Sequence, residues 1–341
     1  MDINEIITKL KNKQNLSKEE CQFAMQNIMS GKLEDKIIAD FLLFLKEKGE
    51  TPLEIASLAL TMREFAEKIN PKVDGLLVDT CGTGGDKIKT FNISTAAMFV
   101  IAGTGIPIAK HGNRAITSNA GSADVLETLG VKIDLEPKQV EKCIEQVGIG
   151  FMFAPIFHKA MKYVMPVRKS LKTRTVFNIL GPLTNPASAQ CQVLGVFSPE
   201  LTEQMAEVLK IMGTKHAMVV YGVDGLDEIS TIGETKISEL KDNEIKTYFI
   251  KPEDFGINKA KLEDLLGKDA KYNAELLKEI LDPNKKDSSA RDIVLLNAAA
   301  GIVVGGKANN LDQGLKLARE SISSGKAQEK LLEFVRVSNE I

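Results

Sequence analysis

Twice within residues 76–130 a short apolar run empties into a glycine-bearing polar turn that then opens a helix. Leu76-Leu77-Val78-Asp79 leads to Thr80-Cys81-Gly82-Thr83-Gly84-Gly85-Asp86, with helical spacing from about Ser94 to Gly103. Ile106-Pro107-Ile108-Ala109 leads to Lys110-His111-Gly112-Asn113-Arg114-Ala115, and Ser122 starts a second helix that Gly130 stops after Leu129. Apolar runs without alternation belong to strands covered on both faces, and strand–turn–helix–strand connections make neighbouring strands parallel. Val193–Val196, a helix over Leu201–Met212 and Ala217–Tyr221 repeat the rhythm. The pattern predicts an α/β domain over residues 71–341 with a mostly parallel central sheet. Ligands of such sheets sit at the carboxyl ends of the strands, where both glycine turns fall.

Between Asp86 and Asp124 there is no Asp or Glu. With 46 acids in 341 residues, roughly 5 would be expected there. Glycines let the backbone approach an anion closely, and N–H groups at a helix start point at it. Two such turns, cleared of carboxylates and supplied with Lys87, Lys89, Lys110 and Arg114, predict a phosphate or diphosphate site.

Residues 1–70 read as helix after helix. Asp2-x-x-Glu5, Ser17-x-x-Glu20 and Thr51-Pro52-x-Glu54 have the form of capping boxes, and Gly31 and Gly49 mark helix ends. The apolar faces exceed what a short bundle needs, so a dimer contact through this helical unit is expected.

A second acid-free stretch runs from Gln146 to Pro199, where roughly 7 acids would be expected from composition. It carries Arg168 and Arg174, either able to fork onto a carboxylate. Residues 177–186 read as a turn-rich linker. After the strand ending at Tyr221 comes Asp224-Gly225-Leu226-Asp227-Glu228. Mg²⁺ takes few carboxylates and otherwise water and phosphate oxygens, so an acid pair opposite a diphosphate pocket suits it. Ser230–Ile237 and Glu244–Ile250 read as extended. Residues 251–286 read as peripheral, and 291–304 as a buried small-residue helix.

A net charge of −2 and 5% aromatics without Trp speak against a nucleic-acid surface. Cys21, Cys81, Cys143 and Cys191 are widely spaced and read as reduced thiols of a cytoplasmic protein. No signal sequence or membrane-spanning run is read. His111, His158 and His216 lack metal-ligand spacing; only His111, inside a glycine turn, is a site candidate.

Gly82-Thr83-Gly84-Gly85-Asp86, Asn92-Ile93-Ser94-Thr95, Lys110-His111-Gly112-Asn113-Arg114, Gly121-Ser122-Ala123-Asp124, Pro166-Val167-Arg168, residues 178–186 and Asp224–Glu228 together resemble the anthranilate phosphoribosyltransferase family. The resemblance spans nearly the whole chain and implies a nucleoside phosphorylase-like fold, in which the helical domain regains about residues 168–186. It implies that Gly82, Gly85, Asp86, Thr90, Asn92, Ile93, Ser94, Thr95, Lys110, His111, Gly112, Asn113, Arg114, Ala115, Ile116, Thr117, Ser118 and Ser122 bind phosphoribosyl diphosphate (PRPP). Gly82, His111, Asn113, Arg168 and Pro182 would line the anthranilate path, with Lys110, His111 and Arg168 as catalytic residues. Ser94, Asp227 and Glu228 would hold Mg²⁺, as two ions. Lys87 stands where the family commonly has Gly.

Two rival readings remain at this point. A pyrimidine nucleoside phosphorylase needs a nucleobase pocket, against which His111–Arg114 and the acid pair speak. A non-catalytic nucleic-acid-binding relative should lack the acids and carry a basic excess.

Overall fold

The computed structural model describes residues 1–85, 88–115 and 119–341. The chain opens with helices α1 (Ile3–Lys11), α2 (Lys18–Met29), α3 (Asp35–Lys48) and α4 (Pro52–Glu64). Ser17 and Thr51 form reciprocal capping boxes with Glu20 and Glu54, whereas Asp2 caps α1 through the Asn4 N–H alone. Gly49 ends α3 at φ 87°, a conformation that disfavours a side chain.

Then follow β1 (Val78–Gly82), α5 (Ile93–Gly103), β2 (Ile108–Gly112), α6 (Ser122–Thr128), α7 (Pro137–Val147) and β3 (Ile149–Phe153). The short helices α8 (Ala154–Phe157), α9 (Met165–Leu171) and α10 (Phe177–Leu180) lead to β4 (Cys191–Gly195), α11 (Leu201–Ile211) and β5 (His216–Gly222). The chain closes with β6 (Thr235–Lys241), β7 (Glu244–Ile250), α12 (Ala270–Leu281), α13 (Ser289–Val304), α14 (Leu311–Ser323) and α15 (Lys326–Glu340).

The seven strands form one sheet in the order β3-β2-β1-β4-β5-β6-β7. All pairs from β3 to β5 are parallel, and β6 and β7 pair antiparallel at the far edge. β1 and β2 begin two residues later than the apolar runs suggest and continue into the glycine turns. The parallel ladder carries them on, with Gly82 opposite Gly195 and Gly112 opposite Phe153. The extended segments near 230–250 become a hairpin turned by Asp242 and Asn243, both at positive φ, which matches the twist of two-residue hairpins. β3 is an edge strand that no alternation announces; Gly150 lets it lie against Ile144.

Strand order reverses between β1 and β4, where the helical connections leave in opposite directions and open a crevice. One face of the sheet packs on α5, α7 and α12–α15. The other face, through Leu194, Val196, Ala217 and Val219, shares a core with α11, α1–α4 and Val164, Val167, Phe177 and Leu183. The helical unit is therefore fused to the sheet by continuous apolar packing. No helix among the described residues is long and apolar enough to cross a membrane.

Candidate active site

The first glycine turn leaves β1 at the strand-order reversal. Thr83 N–H donates to the Gly195 carbonyl at 2.9 Å, extending the β1–β4 ladder beyond the sheet. Gly84 and Gly85 take φ 67° and 78°, which favours glycine. Gly84 N–H donates to Asp227 Oδ2 at 3.0 Å. A Cβ on Gly82 would lie 2.3 Å from that same oxygen. Arg174 Nη2 donates to the Gly85 carbonyl, and its guanidinium lies 4.0 Å from the centroid of Phe197. Asp86 and Lys87 lie outside the described residues.

The segment after the turn is strapped by residues whose sequence read as peripheral. Phe91 N–H donates to Leu265 O at 3.1 Å, and Gly267 N–H to Lys89 O at 2.9 Å. Thr90 forms an isolated antiparallel bridge with Leu266. Asn92 Oδ1 accepts from Asn273 Nδ2 at 3.0 Å, while its Nδ2 donates to Ala120 O at 3.1 Å. One amide thus ties the first turn to the second. Ile93, Ser94 and Thr95 form the first turn of α5, which has no acid in it. Gly and Asn residues at 267 and 273 signalled only loops and a helix; nothing local marked them as site residues.

The second turn is built on Asp124, whose Oδ2 accepts from the N–H groups of Ala115 and Gly121, each at 2.9 Å. Asn113 O accepts from Ala123 N–H at 3.2 Å and Ser122 Oγ at 3.4 Å. Gly112 leaves room for Ser122 and Phe151, which a Cβ would meet at 2.3 and 2.6 Å. Arg114 does not face outward as a free cation: it forks onto Glu127 at 2.8 and 3.0 Å and reaches Asp124 at 3.0 Å. Ile116, Thr117 and Ser118 lie outside the described residues.

Behind both turns is a charged core. Lys110, 2% exposed, donates through Nζ to the Thr80 carbonyl and, at 3.3 Å, to Ser94 Oγ. Asp79 is fully buried and accepts from Asn185 Nδ2 at 2.8 Å and, weakly, from His111 N–H at 3.4 Å. Burial raises the Asp79 pKa, with the Lys110 charge working against it. Asn185 Nδ2 also donates to Ala109 O at 2.8 Å, so one amide fixes β1 against β2.

His111 stands at the end of β2 with its ring 4.9 Å from that of His158. Burial, helped by His158, holds the His111 pKa at about 3, and the Gly181 backbone bonds to the ring. Its Nε2 is buried without a partner among the described residues. Burial likewise holds His158 at about 4. The proximity of His158 could not be seen from spacing, because it arises from the β2–β3 pairing. Pro182 O accepts from Gln192 Nε2 at 2.7 Å, fixing the segment beside Gly181. Arg168 lies on α9 with its guanidinium over Phe177 at 5.7 Å and makes no ion pair among the described residues. Burial lowers its pKa.

The acid pair follows β5 at the sheet end that bears the glycine turns, and Asp227 lies directly against the first of them. The Asp227 carbonyl would be 1.6 Å from a Cβ on Gly195, so β4 ends in glycine to admit it. Burial raises the Asp227 pKa, and hydrogen bonds from the Gly84 and Asp227 N–H groups work against it. No cation pairs with this carboxylate among the described residues. Glu228 lies close enough to raise the Cys81 thiol pKa, after burial and Asp79. An uncompensated carboxylate with a second acid and a serine hydroxyl at the same sheet end is a hard-oxygen donor set. Such a set fits Mg²⁺ and not a soft metal.

Residues 4–66 match the glycosyl transferase family helical bundle domain and residues 74–328 the glycosyl transferase family a/b domain. Anthranilate phosphoribosyltransferase of Acetivibrio thermocellus is 52% identical over 99% of this chain and 97% of its own length. That of Methanocorpusculum labreanum is 51% identical over 98% of both. The crystal structure of the Thermus thermophilus enzyme superposes with a TM-score of 0.92 at 41% identity, covering 99% of this chain and 100% of that one. The Saccharomyces cerevisiae enzyme in complex with PRPP and Mg gives 0.91 at 30% identity, covering 99% and 98%.

Proposed function

Since this chain belongs to the anthranilate phosphoribosyltransferase family, we propose the following account of its reaction. The protein is a glycosyltransferase that moves the 5-phosphoribosyl group from PRPP to the amine of anthranilate, a step of tryptophan biosynthesis. The products are N-(5-phosphoribosyl)anthranilate and diphosphate. The observation that carries this reading is the convergence of both glycine turns, the α5 N-terminus and the Asp227–Glu228 pair at one end of the sheet.

Departure of diphosphate builds positive charge on the anomeric carbon and negative charge on the leaving oxygens. The N–H groups of Ser94 and Thr95 in the first turn of α5 face the latter, in a segment preorganised by the straps from Leu265, Gly267 and Asn273. Gly82, Gly85, Asp86, Thr90, residues 92–95, residues 110–118 and Ser122 hold PRPP. Asp227, Glu228 and Ser94 hold two Mg²⁺ ions, which supply charge stabilisation to the leaving diphosphate when bound. Lys110 orients Ser94 and the end of β1.

Gly82, His111, Asn113, Arg168 and Pro182 line the anthranilate path. Arg168, without an ion-pair partner among the described residues, takes the carboxylate. His111 is neutral at physiological pH. Bonded to the Gly181 backbone, it offers Nε2 as a hydrogen-bond acceptor for the amine. A group with a pKa near 3 is a feeble base, so it orients the amine instead of deprotonating it before attack. The aromatic amine is itself a weak base and attacks in its neutral form, which leaves positioning as the main demand.

The chain pairs as a homodimer through the helical unit, where Leu53 and Tyr163 remain exposed. It works in the cytoplasm, in keeping with its free cysteines. Mixing protein with anthranilate, PRPP and Mg²⁺ should extinguish anthranilate fluorescence, and omitting any one should preserve it. Undiminished emission with all components present defeats the assignment.

A further inference from the structure

Helix α13 is buried along nearly its whole length and is made mostly of small and apolar residues. Asn297 is the exception near its middle, 3% exposed. An amide there costs free energy unless its hydrogen bonds are made. They are made: Oδ1 accepts from Ile229 N–H at 2.9 Å, and Nδ2 donates to Ile229 O and Ile293 O, each at 2.9 Å. The amide pairs with both backbone groups of Ile229, as a neighbouring strand would.

Ile229 directly follows Asp227 and Glu228. On the other side of the pair, Leu226 O accepts from Gly222 N–H at 2.9 Å, fixing the loop to the end of β5. The two acids are therefore suspended between two backbone anchors, and only one of these is supplied by a side chain. The same helix also sets the position of α5: a Cβ on Gly301 would lie 2.2 Å from Ile101 Cδ1. Since α5 carries Ser94 in its first turn, α13 is the common base for all three candidate metal ligands.

We propose that Asn297 is a positioning residue for the metal site, holding Asp227 and Glu228 in register with Ser94. The proposal rests on the assignment of those three residues to Mg²⁺. Asn297 touches no substrate; it acts through the Ile229 backbone. Groups that orient metal ligands from behind commonly change metal affinity by about 10–100-fold when removed.

The test uses Asn297→Asp, which keeps the acceptor, and Asn297→Ser, which keeps one donor. Calorimetric titration measures PRPP binding with and without Mg²⁺, and steady-state kinetics give the Mg²⁺ half-saturation and the anthranilate KM. Both variants should need about 10–100-fold more Mg²⁺, with the anthranilate KM and metal-free PRPP binding unchanged. An unaltered Mg²⁺ requirement, or a parallel rise in the anthranilate KM, overturns the proposal. Hydrogen exchange in the unsubstituted protein reads it without any loss of folding: Mg²⁺ with PRPP should slow the Ile229 amide, and an unslowed amide also overturns it. The Asp227→Asn, Glu228→Gln double variant separates the premise. If Mg²⁺ still enhances PRPP binding there, the metal assignment itself falls.

Discussion

The Asp227 carboxylate accepts the backbone N–H of Gly84 at 3.0 Å, so the acid proposed for the metal and the first glycine turn are bonded neighbours. Two glycines make this approach possible: Gly82 faces the Asp227 carboxylate, and Gly195 faces its carbonyl.

Gly195→Ala should therefore disturb the site severely. The added Cβ would lie 1.6 Å from a backbone oxygen that has no rotamer to escape into. Overpacking of this kind costs about 1–3 kcal/mol. We expect a lowered melting temperature and loss of Mg²⁺-dependent PRPP binding by calorimetry. Gly181→Ala is the control, because nothing lies within 4 Å of its Cβ position and its φ is −49°.

Lys110 and Asp79 should behave as a coupled buried pair. Lys110→Met leaves the Asp79 carboxylate buried without its nearby cation and should cost about 3–5 kcal/mol in urea unfolding. Adding Asp79→Asn removes the stranded charge and should restore part of that loss. Simple additivity of the two changes would show that the charges do not couple.

The two imidazoles, tilted by 51° and in contact, predict a specific acid sensitivity. His111 near 3 and His158 near 4 both lie below the ordinary 6.5. Between these values the unfolded chain binds more protons than the folded one. The stability they contribute is whole above about 6.5 and drains as pH falls through that window. Urea midpoints measured at intervals of pH should show the slope, and His158→Phe should flatten it. The kcat profile should carry no imidazole inflection between about pH 6 and 8.

Arg168 and Arg174 should separate the two substrates. Arg168→Ala removes a charged hydrogen bond worth about 1.5–3 kcal/mol and should raise the anthranilate KM tenfold or more. Arg174→Ala frees the Gly85 carbonyl and should raise the PRPP KM while leaving that for anthranilate alone. If the two variants give the same pattern, one of these assignments is wrong.

The parallel sheet was legible because apolar runs ending in glycine turns have few other uses. The proposed phosphate site rests on missing charge: no acid stands between Asp86 and Asp124. What stayed hidden depends on contacts distant in sequence. The ring of His158 meets that of His111 only through the pairing of β2 with β3. Asn273 and Gly267 lie in a stretch whose composition resembles an ordinary surface. Arg174 differs from its neighbouring cations only in what it touches. The direct contact of Asp227 with the first turn stayed hidden because a register that sets Gly82 beside Gly195 has no local signature.

The straps that shape both turns come late in the chain. Gly267 N–H holds Lys89 O, its carbonyl accepts from Asn119 Nδ2 at 3.3 Å, and Asn273 holds Asn92. During synthesis the glycine turns leave the ribosome long before their fasteners do. Their catalytic shape is acquired only after some 180 further residues have been made, the separation between Asn92 and Asn273 being 181. A prematurely terminated chain would accordingly be inert, incapable of spilling a reactive sugar from a half-built crevice.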